Sequence, residues 1–377
     1  MTIKKVGISN FAAQVSYDSV KHSHERAYRT RMNILIANNM APFISGGAEG
    51  LAAHLCAHLN ATPGIRAEVL RVPFSWEPFE RLADEIFLNK VLKLQNVDTV
   101  IGLKFPAYLI PHDAKVVWLL HQYRQAYDLH DRGGSNIPDT PRGKQVIDLI
   151  RRADAEAFSA CRRLFAISQV IQERLKRYNG FCAEVLIPPM NNPELFNNHG
   201  DSGYIFAGGR INAHKRQHLL LEAMACTKSN VKVIVAGPPD SPGDADRLRE
   251  IVNRLELRDR VVLDLGFLPI AKIAGYVNHA RACVYLPTDE DAVGYVTTEA
   301  AFASKPVITG ADSGGVLQLV VHGETGCVVE PNAKDVAEAI DLLYTLPARA
   351  RRLGRAARHR WDSFGVTWSN TIEKLLS

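Results

Sequence analysis

Short runs of apolar, often β-branched residues alternate along the chain with longer stretches whose apolar positions recur at helical spacing. This alternation is typical of parallel β-sheets connected by crossover helices. In the first half it predicts strands at 33–38, 67–72, 99–103, 115–121, 164–168 and 184–188. In the second half it predicts strands at 203–208, 231–236, 261–265, 283–286, 307–309 and 326–329. We therefore expect an α/β chain with two doubly wound sheets.

A segment rich in proline and asparagine, residues 188–194, separates the two series of strands. Neither a helix nor a strand continues easily through such a segment, so it is the expected interdomain linker. A length of 377 residues also fits two α/β domains better than one core. We expect a first domain at 32–190 and a second domain at 191–355.

The two ends of the chain differ from the domains between them. Residues 1–31 are polar and precede a typical first strand at Met32. We interpret them as a flexible extension or a mis-called start, since they lack the apolar stretch of a signal peptide. Residues 356–377 predict helix and carry three large apolar anchors, Trp361, Phe364 and Trp368.

Composition and charge exclude only a few classes of function. The chain is 46% hydrophobic and 23% charged, and no apolar run approaches the ~18 residues of a membrane span. Its net charge of +5 does not indicate a nucleic-acid partner, although residues 151–177 and 349–360 are locally basic. Six scattered cysteines without a C-x-x-C pair favour a reducing compartment, so we expect a cytoplasmic protein.

Paired glycines, Gly46 and Gly47, follow the first predicted strand and open an alanine-rich helix. Glycine lets backbone N–H groups approach a phosphate, and a helix N-terminus favours negative charge. The spacing does not match the dinucleotide fingerprint G-x-G-x-x-G, and a simple tight turn explains the pair equally well.

The first strand of the second half leads into a loop with two cations, Arg210 and Lys215. A guanidinium and an ammonium delivered from one loop are a direct way to neutralise a diphosphate. The alternative interpretation is a solvated basic loop.

Two carboxylates eight residues apart, Asp291 and Glu299, flank the start of another helix at Gly294. One carboxylate is thereby placed to face a donor sugar and the other a ribose diol, with free helix N–H groups between them. We interpret Asp291 as a candidate catalytic residue. The run 289–291 also resembles the D-x-D of metal-dependent transferases, but hydroxyl recognition explains its strand-to-helix setting better.

Two residues at strand ends in the first half are placed to reach a ligand. His121 closes a very apolar run, and Lys104 follows the strand before it. We interpret His121 as a candidate catalytic residue and Lys104 as a candidate acceptor contact, although most histidines in proteins are ordinary surface residues.

In order and spacing these motifs resemble glycosyltransferase family 4, retaining enzymes of the GT-B fold that use nucleotide sugars. The resemblance runs from Met32 nearly to the C-terminus. It is carried by residues 46–49, 209–215, 236–239, 260–262, 266–269, 291–299, 313–315 and 322–329. It implies two Rossmann-like domains around a central cleft, and a last helical segment that returns to the first domain.

The resemblance also implies roles for individual residues. Gly46 and Gly47 would lie against the donor phosphates, Arg210 and Lys215 would hold the diphosphate, and Glu299 would hold the ribose. The donor would further contact Leu268, Gly294, Tyr295 and Val296, and His121 would lie near the reacting carbon. Cations would then stabilise the leaving group, so we expect no metal and no other cofactor.

Three positions depart from the family pattern. Asp291 and Gln318 stand where the family usually has glutamate, and Val293 replaces an aromatic residue. These changes alter which sugar fits or weaken catalysis.

Several functional interpretations follow. The main one is a transferase that moves a sugar from UDP- or GDP-sugar to a saccharide or lipid-linked acceptor in surface polysaccharide or lipopolysaccharide assembly. The alternatives are a non-catalytic GT-B scaffold subunit, a nucleotide-sugar epimerase and a sugar phosphorylase. The arginine-rich helix is either a solvated face or a contact with anionic lipid at the inner face of the cell membrane.

Overall fold

The computed structural model describes residues 31–43 and 46–377 of the chain. The expected N-terminal extension therefore lies outside the described residues, apart from Arg31. Within the described ranges, no helix combines the length and the apolar character that crossing a membrane requires.

The first sheet has six parallel strands in the order β2-β1-β3-β4-β5-β6. These strands are β1 Met32–Met40, β2 Ile65–Pro73, β3 Thr99–Gly102, β4 Lys115–Leu119, β5 Arg163–Ala166 and β6 Glu184–Val185. The helices that cover it are α1 Gly47–Ala61, α2 Leu82–Val91, α3 Asp128–Asp131, α4 Pro141–Ser159 and α5 Gln169–Asn179. Strand β4 is buried along its whole length, and its residues 116–119 are all apolar. Its first residue, Lys115, is buried as well, and its ammonium donates to the backbone carbonyls of Tyr108 and Ile110.

The second sheet repeats this plan in the order β12-β11-β10-β7-β8-β9, again with parallel strands. Its strands are β7 Tyr204–Gly208, β8 Lys232–Gly237, β9 Val261–Leu265, β10 Ala282–Val284, β11 Val307–Gly310 and β12 Gly326–Val329. Its helices are α6 Gln217–Cys226, α7 Pro242–Arg254, α8 Ile270–His279, α9 Tyr295–Phe302, α10 Ala333–Thr345 and α11 Pro347–Ser363. Every predicted strand overlaps an observed one, and the expected fold class is confirmed.

The C-terminal segment is divided between the two domains. Helix α12, Trp368–Leu376, packs on the first domain, where the Trp368 ring stacks on His58 with centroids 4.7 Å apart. Trp361 and Phe364, expected to pack there too, instead lie in the apolar core of the second domain. The expected boundary at 355/356 falls inside α11, so only the last helix returns to the first domain.

Helix α11 approaches its neighbour closely because residue 354 is a glycine. A Cβ atom at Gly354 would lie 2.0 Å from the carbonyl oxygen of Ser304. Gly275, in the interior of α8, has nothing within 4 Å of the same hypothetical atom. The two glycines therefore make a matched pair for measuring this packing contact.

We predict that Gly354→Ala destabilises the protein by about 1–3 kcal/mol, because the helix must shift away from Ser304. Gly275→Ala gains helix propensity and raises the free energy of unfolding by about 0.5–1 kcal/mol. Thermal unfolding of both variants beside the wild type measures the difference. Equal stability of the two variants would contradict the close approach.

Candidate active site in the interdomain cleft

The carboxyl ends of the two sheets face a shared cleft, the usual place for ligands in open α/β folds. A cavity of about 430 Å³ lies there. The first domain lines it with Lys104, His121, Glu49 and the aromatic rings of Phe74 and Trp76, and the second domain contributes Arg210. Three of the residues singled out by sequence, Lys104, His121 and Arg210, are thus brought together.

His121 lies just beyond the end of β4. Its Nδ1 atom is 2.6 Å from the carbonyl oxygen of Gln122, so Nδ1 carries a proton and donates it to that oxygen. Burial lowers the pKa of His121 below its ordinary value, although the nearby charge of Asp291 opposes that shift. The ring is therefore neutral at pH 7, with Nε2 as its acceptor atom.

Lys104 occupies the equivalent place after β3 and is half-buried. Burial lowers its pKa, while the carboxylates of Glu49 and Asp291 act in the opposite direction. A partly desolvated ammonium in a cleft is a suitable contact for a polar or anionic ligand.

Two helices begin on opposite sides of the cleft. Helix α1 starts at Gly47, and the backbone N–H of Gly46 donates to Glu49 Oε2 at 2.8 Å. A Cβ atom at Gly47 would lie 3.7 Å from ring carbons of Tyr295, the first residue of α9. The positive ends of both helix dipoles therefore point into the same space.

The loop after β7 holds both predicted cations. Arg210 Nε donates to Asp240 Oδ1 at 2.7 Å. Lys215 Nζ donates to Tyr285 Oη at 2.8 Å and pairs with the carboxylate of Glu290. Each cation thus has an acidic partner. Asp240 was not singled out from the sequence, and Glu290 was noted only as part of the acidic run 289–291.

The start of α9 is shaped by Gly294, whose φ of +83° disfavours any other residue. A Cβ atom there would also lie 2.9 Å from the Tyr285 ring. Val296, in the first turn, packs near Gly209, and Glu299 follows in the next turn. Leu268 lies half-buried in the loop between β9 and α8.

Burial raises the pKa of Glu299 to about 7. The carboxylate forms no hydrogen bond or ion pair with the residues that the structure describes. An unpaired acidic group inside a protein is costly, and such groups are concentrated at functional sites.

Asp291 lies at the domain interface, and its carboxylate contacts arginines of the first domain. Oδ1 lies 3.2 Å from Arg124 Nη1 and also contacts Arg174. Asp289, two residues earlier, is held by the same two arginines and by Arg132. The expected contact of Asp291 with a donor sugar stays a prediction.

Among the described residues no cluster of three or more His, Cys, Asp or Glu side chains is arranged for a metal.

The three arginines were not singled out from the sequence. Arg174 fell inside the basic stretch 151–177, and Arg124 directly follows the His121 segment, but neither forms part of a motif. Their partners are more than 100 residues away in the chain, so only the folded structure reveals the pairing.

Comparison with known proteins agrees with this architecture. Residues 192–360 match the family model of the glycosyl transferases group 1. A curated relative, alpha-maltose-1-phosphate synthase of Mycolicibacterium smegmatis, is 32% identical over 178 residues, which are 45% of this chain and 45% of that protein. The matched part thus spans less than half the length of that relative.

Solved structures resemble nearly the whole chain. The glycosyltransferase WaaG, described as involved in lipopolysaccharide biosynthesis, superposes with a TM-score of 0.69 at 16% identity, covering 91% of this chain and 98% of WaaG. Anabaena HepE in complex with UDP-glucose gives a TM-score of 0.67 at 16% identity, covering 92% and 98%. These likenesses confirm the GT-B fold.

We predict that Glu299→Gln stabilises the protein at pH 8 but not near pH 5. The native carboxyl binds its proton up to about pH 7, whereas the unfolded one loses it near its model value of 4.5. Wild-type stability therefore falls as pH rises between those values, and it stays at the lower level above pH 7. The gain at pH 8 should be on the order of 1–3 kcal/mol in urea unfolding. A pH-independent difference between the two proteins would contradict the buried, unpaired carboxylate.

Proposed function

We propose that this chain is a glycosyltransferase that moves a sugar from a nucleotide diphosphate donor to a saccharide or lipid-linked acceptor. The observation that carries the proposal is that Arg210 and the N-termini of α1 and α9 meet across the cleft. A Cβ atom at Gly46 would lie 3.5 Å from Arg210 Nη1, and one at Gly47 would lie 3.7 Å from the Tyr295 ring. Lys215 lies next to the start of α9, because it donates to Tyr285, whose ring adjoins Gly294. This is an arrangement suited to a diphosphate, and the family match covers the domain that supplies most of it.

The second domain would bind the donor. Glycosyl transfer leaves negative charge on the departing diphosphate, which Arg210, Lys215 and the free N–H groups at Gly294–Val296 would stabilise. Lys215 would exchange its contact with Glu290 for the phosphate oxygens. The buried carboxyl of Glu299 would accept hydrogen bonds from the ribose hydroxyls, and the backbone at Leu268 would contact the base.

The first domain would bind the acceptor. Phe74 and Trp76 give one side of the cavity an aromatic surface, and Trp76 is 43% exposed. Sugar rings pack readily on such surfaces, while Lys104 supplies a charged contact. The neutral His121 would lie beside the reacting carbon, where its Nε2 atom can accept a hydrogen bond from a sugar hydroxyl.

The finer features of the proposal rest on the resemblance of the motifs. They are retention of the anomeric configuration, catalysis without a metal ion, a UDP- or GDP-linked donor, and a role in surface polysaccharide or lipopolysaccharide assembly. The likenesses to HepE with UDP-glucose and to WaaG are compatible with the donor class and the pathway.

Peripheral contact with an anionic membrane at its cytoplasmic face belongs to the same proposal. In α11, Arg351 and Arg355 are exposed and available for such a contact. Arg358 instead pairs with Asp362, and Arg360 donates to the carbonyl of Gln318, so these two stabilise the second domain.

A non-catalytic nucleotide- or glycan-binding subunit is the second candidate. It is favoured by the ion pairs that Lys215 forms with Glu290 and that Asp291 forms with Arg124 and Arg174, because these pairs engage side chains that a catalytic site would need for its substrates. Turnover of a donor separates the two candidates.

We predict that one nucleotide family among UDP-, GDP-, ADP- and dTDP-sugars raises the melting temperature in the presence of EDTA. A ligand at 100 times its dissociation constant contributes about 2.7 kcal/mol, which is readily measured. Lys215→Met and Glu299→Gln should each abolish most of the shift and of donor hydrolysis. Lys334→Met, at an exposed lysine of the same domain, is the matched control.

The two candidate functions predict different results in this experiment. A nucleotide-specific shift without hydrolysis or transfer would favour the scaffold subunit. Absence of any shift in folded wild-type protein, or a shift that both site variants retain, would overturn the proposed donor site.

A further inference from the structure

Six charged side chains form an interdomain ion cluster between the cleft and the outer surface. Three are arginines and three are aspartates, so the cluster is neutral as a whole. The first domain contributes Arg124, Asp128, Arg132 and Arg174, and the second domain contributes Asp289 and Asp291.

Asp289 is the centre of the cluster. Its Oδ2 atom lies 2.7 Å from Arg124 Nη2 and 2.7 Å from Arg132 Nη1. Its Oδ1 atom lies 2.6 Å from Arg174 Nη2. Burial alone would raise the pKa of Asp289, yet the arginines hold it below its ordinary value. The carboxylate is therefore charged at any pH near neutrality.

The arginines are themselves fixed within the first domain. Arg124 Nε and Nη2 bind both oxygens of Asp128, which is 3% exposed. Arg174, on α5, is 8% exposed and lies 3.9 Å from the same carboxylate. Partly desolvated pairs of this kind are screened much less by salt than surface ion pairs, and losing one partner leaves the other uncompensated.

The N-terminus of α5 adds uncharged contacts to the same interface. The Ser168 hydroxyl donates to the carbonyl of Asp291 while it also caps the Ile171 N–H at 3.2 Å. The Gln169 N–H donates to the side-chain oxygen of Gln318 at 3.2 Å. Gln318, one of the departures from the family pattern, thus contacts the first domain.

Residues 289–291 connect this interface directly to the donor side of the cleft. Asp289 and Asp291 bind the first domain, whereas Glu290 between them binds Lys215 and Tyr285. From the other side, the Gly315 N–H donates to the Glu290 carbonyl at 2.8 Å. A Cβ atom at Gly315 would lie 2.6 Å from the Ala292 oxygen, so the loop has little room to move.

The loop then leads straight into α9. Val293 is 2% exposed, and Gly294 begins the helix whose N-terminal N–H groups face the cleft. Any shift of residues 289–291 therefore moves the start of α9 and the partner of Lys215 together.

We propose that Arg174 and Arg124 are positioning residues for the donor site, acting through Asp289 and Asp291 on the start of α9. In this assignment Asp291 docks the two domains, and the nucleotide-binding surface of the second domain is complete only when the first domain holds its loop. The proposal rests on the proposed function for the identity of the ligand, but the restraint on the loop is independent of it.

The test compares Arg174→Met and Arg174→Lys with a matched control, Arg281→Met. Arg281 makes a comparable, largely buried pair with Asp201, with Arg281 Nε 2.8 Å from Asp201 Oδ2, but entirely within the second domain. Two quantities are measured for each full-length variant. They are hydrogen exchange of the backbone amides at 289–298 without ligand, and the dissociation constants of UDP, GDP and ADP.

We expect Arg174→Met to speed exchange at 289–298 and to weaken the best-binding nucleotide about tenfold, since the competent arrangement becomes a minor population. The exchange rates and dissociation constants of Arg174→Lys should lie between those of Arg174→Met and of the wild type. Lysine keeps the positive charge but lacks the planar set of N–H donors that binds a carboxylate through two hydrogen bonds. Arg281→Met should lower the melting temperature without changing either quantity.

Two results would overturn the proposal. One is that the amides at 289–298 exchange in Arg174→Met at the same rate as in the wild type. The other is that Arg281→Met changes the exchange rates and the dissociation constants as much as Arg174→Met does. Should Arg174→Met fail to fold, Asp289→Asn removes the charge that pairs with Arg174, Arg124 and Arg132 from the other side of the interface, and the same two measurements on that variant decide the question. If the wild type binds none of the three nucleotides, the proposed function fails, while the exchange data still decide whether the arginines hold the loop.

Discussion

The candidate site depends on one constraint: two separate sheets must keep their carboxyl ends facing each other. Neither domain has a complete set of groups, because His121 and Lys104 come from one sheet and Arg210, Lys215 and Glu299 from the other. The interdomain ion cluster joins the domains beside the cleft, and helix α12 ties the end of the chain back to the first domain. Apolar burial within each domain gives the fold, while the ion cluster and the packing of α12 join the two halves.

Several donor groups around the cleft already have an acidic partner within the protein. Lys215 has Glu290, Arg210 has Asp240, and the Gly46 N–H has the Glu49 carboxylate. An incoming diphosphate would replace carboxylates with phosphate oxygens, so binding would be an exchange of ionic partners. Such an exchange costs less desolvation than stripping water from bare cations, and it keeps an empty site from carrying unpaired buried charge. Glu299 has no such partner among the described residues, and its raised pKa lets its carboxyl take a proton and become neutral.

Much of the fold was predictable because its signals are local. Apolar runs predict all twelve strands found in the described part of the chain. Gly-containing strand-to-helix turns place Gly47, Arg210 and Gly294 at helix or strand ends. The partners of these residues were not predictable, since Arg174 and Asp289 meet across 115 residues of chain. Their pairing is fixed by how two domains dock, which no periodicity encodes. The same is true of Trp361 and Trp368. The sequence predicts that both are buried apolar side chains, but it does not show that they pack on different domains.

The most direct test of the account is the distance between the domains in solution. Cys182 in the first domain and Cys226 in the second are free and exposed, so they accept spin labels once Cys56 and Cys161 are replaced by serine. The account predicts a single narrow distance distribution in the ligand-free protein, which Asp289→Asn broadens toward longer distances. A broad distribution in the ligand-free parent protein, unchanged by Asp289→Asn, would show that the ion cluster does not hold the domains together.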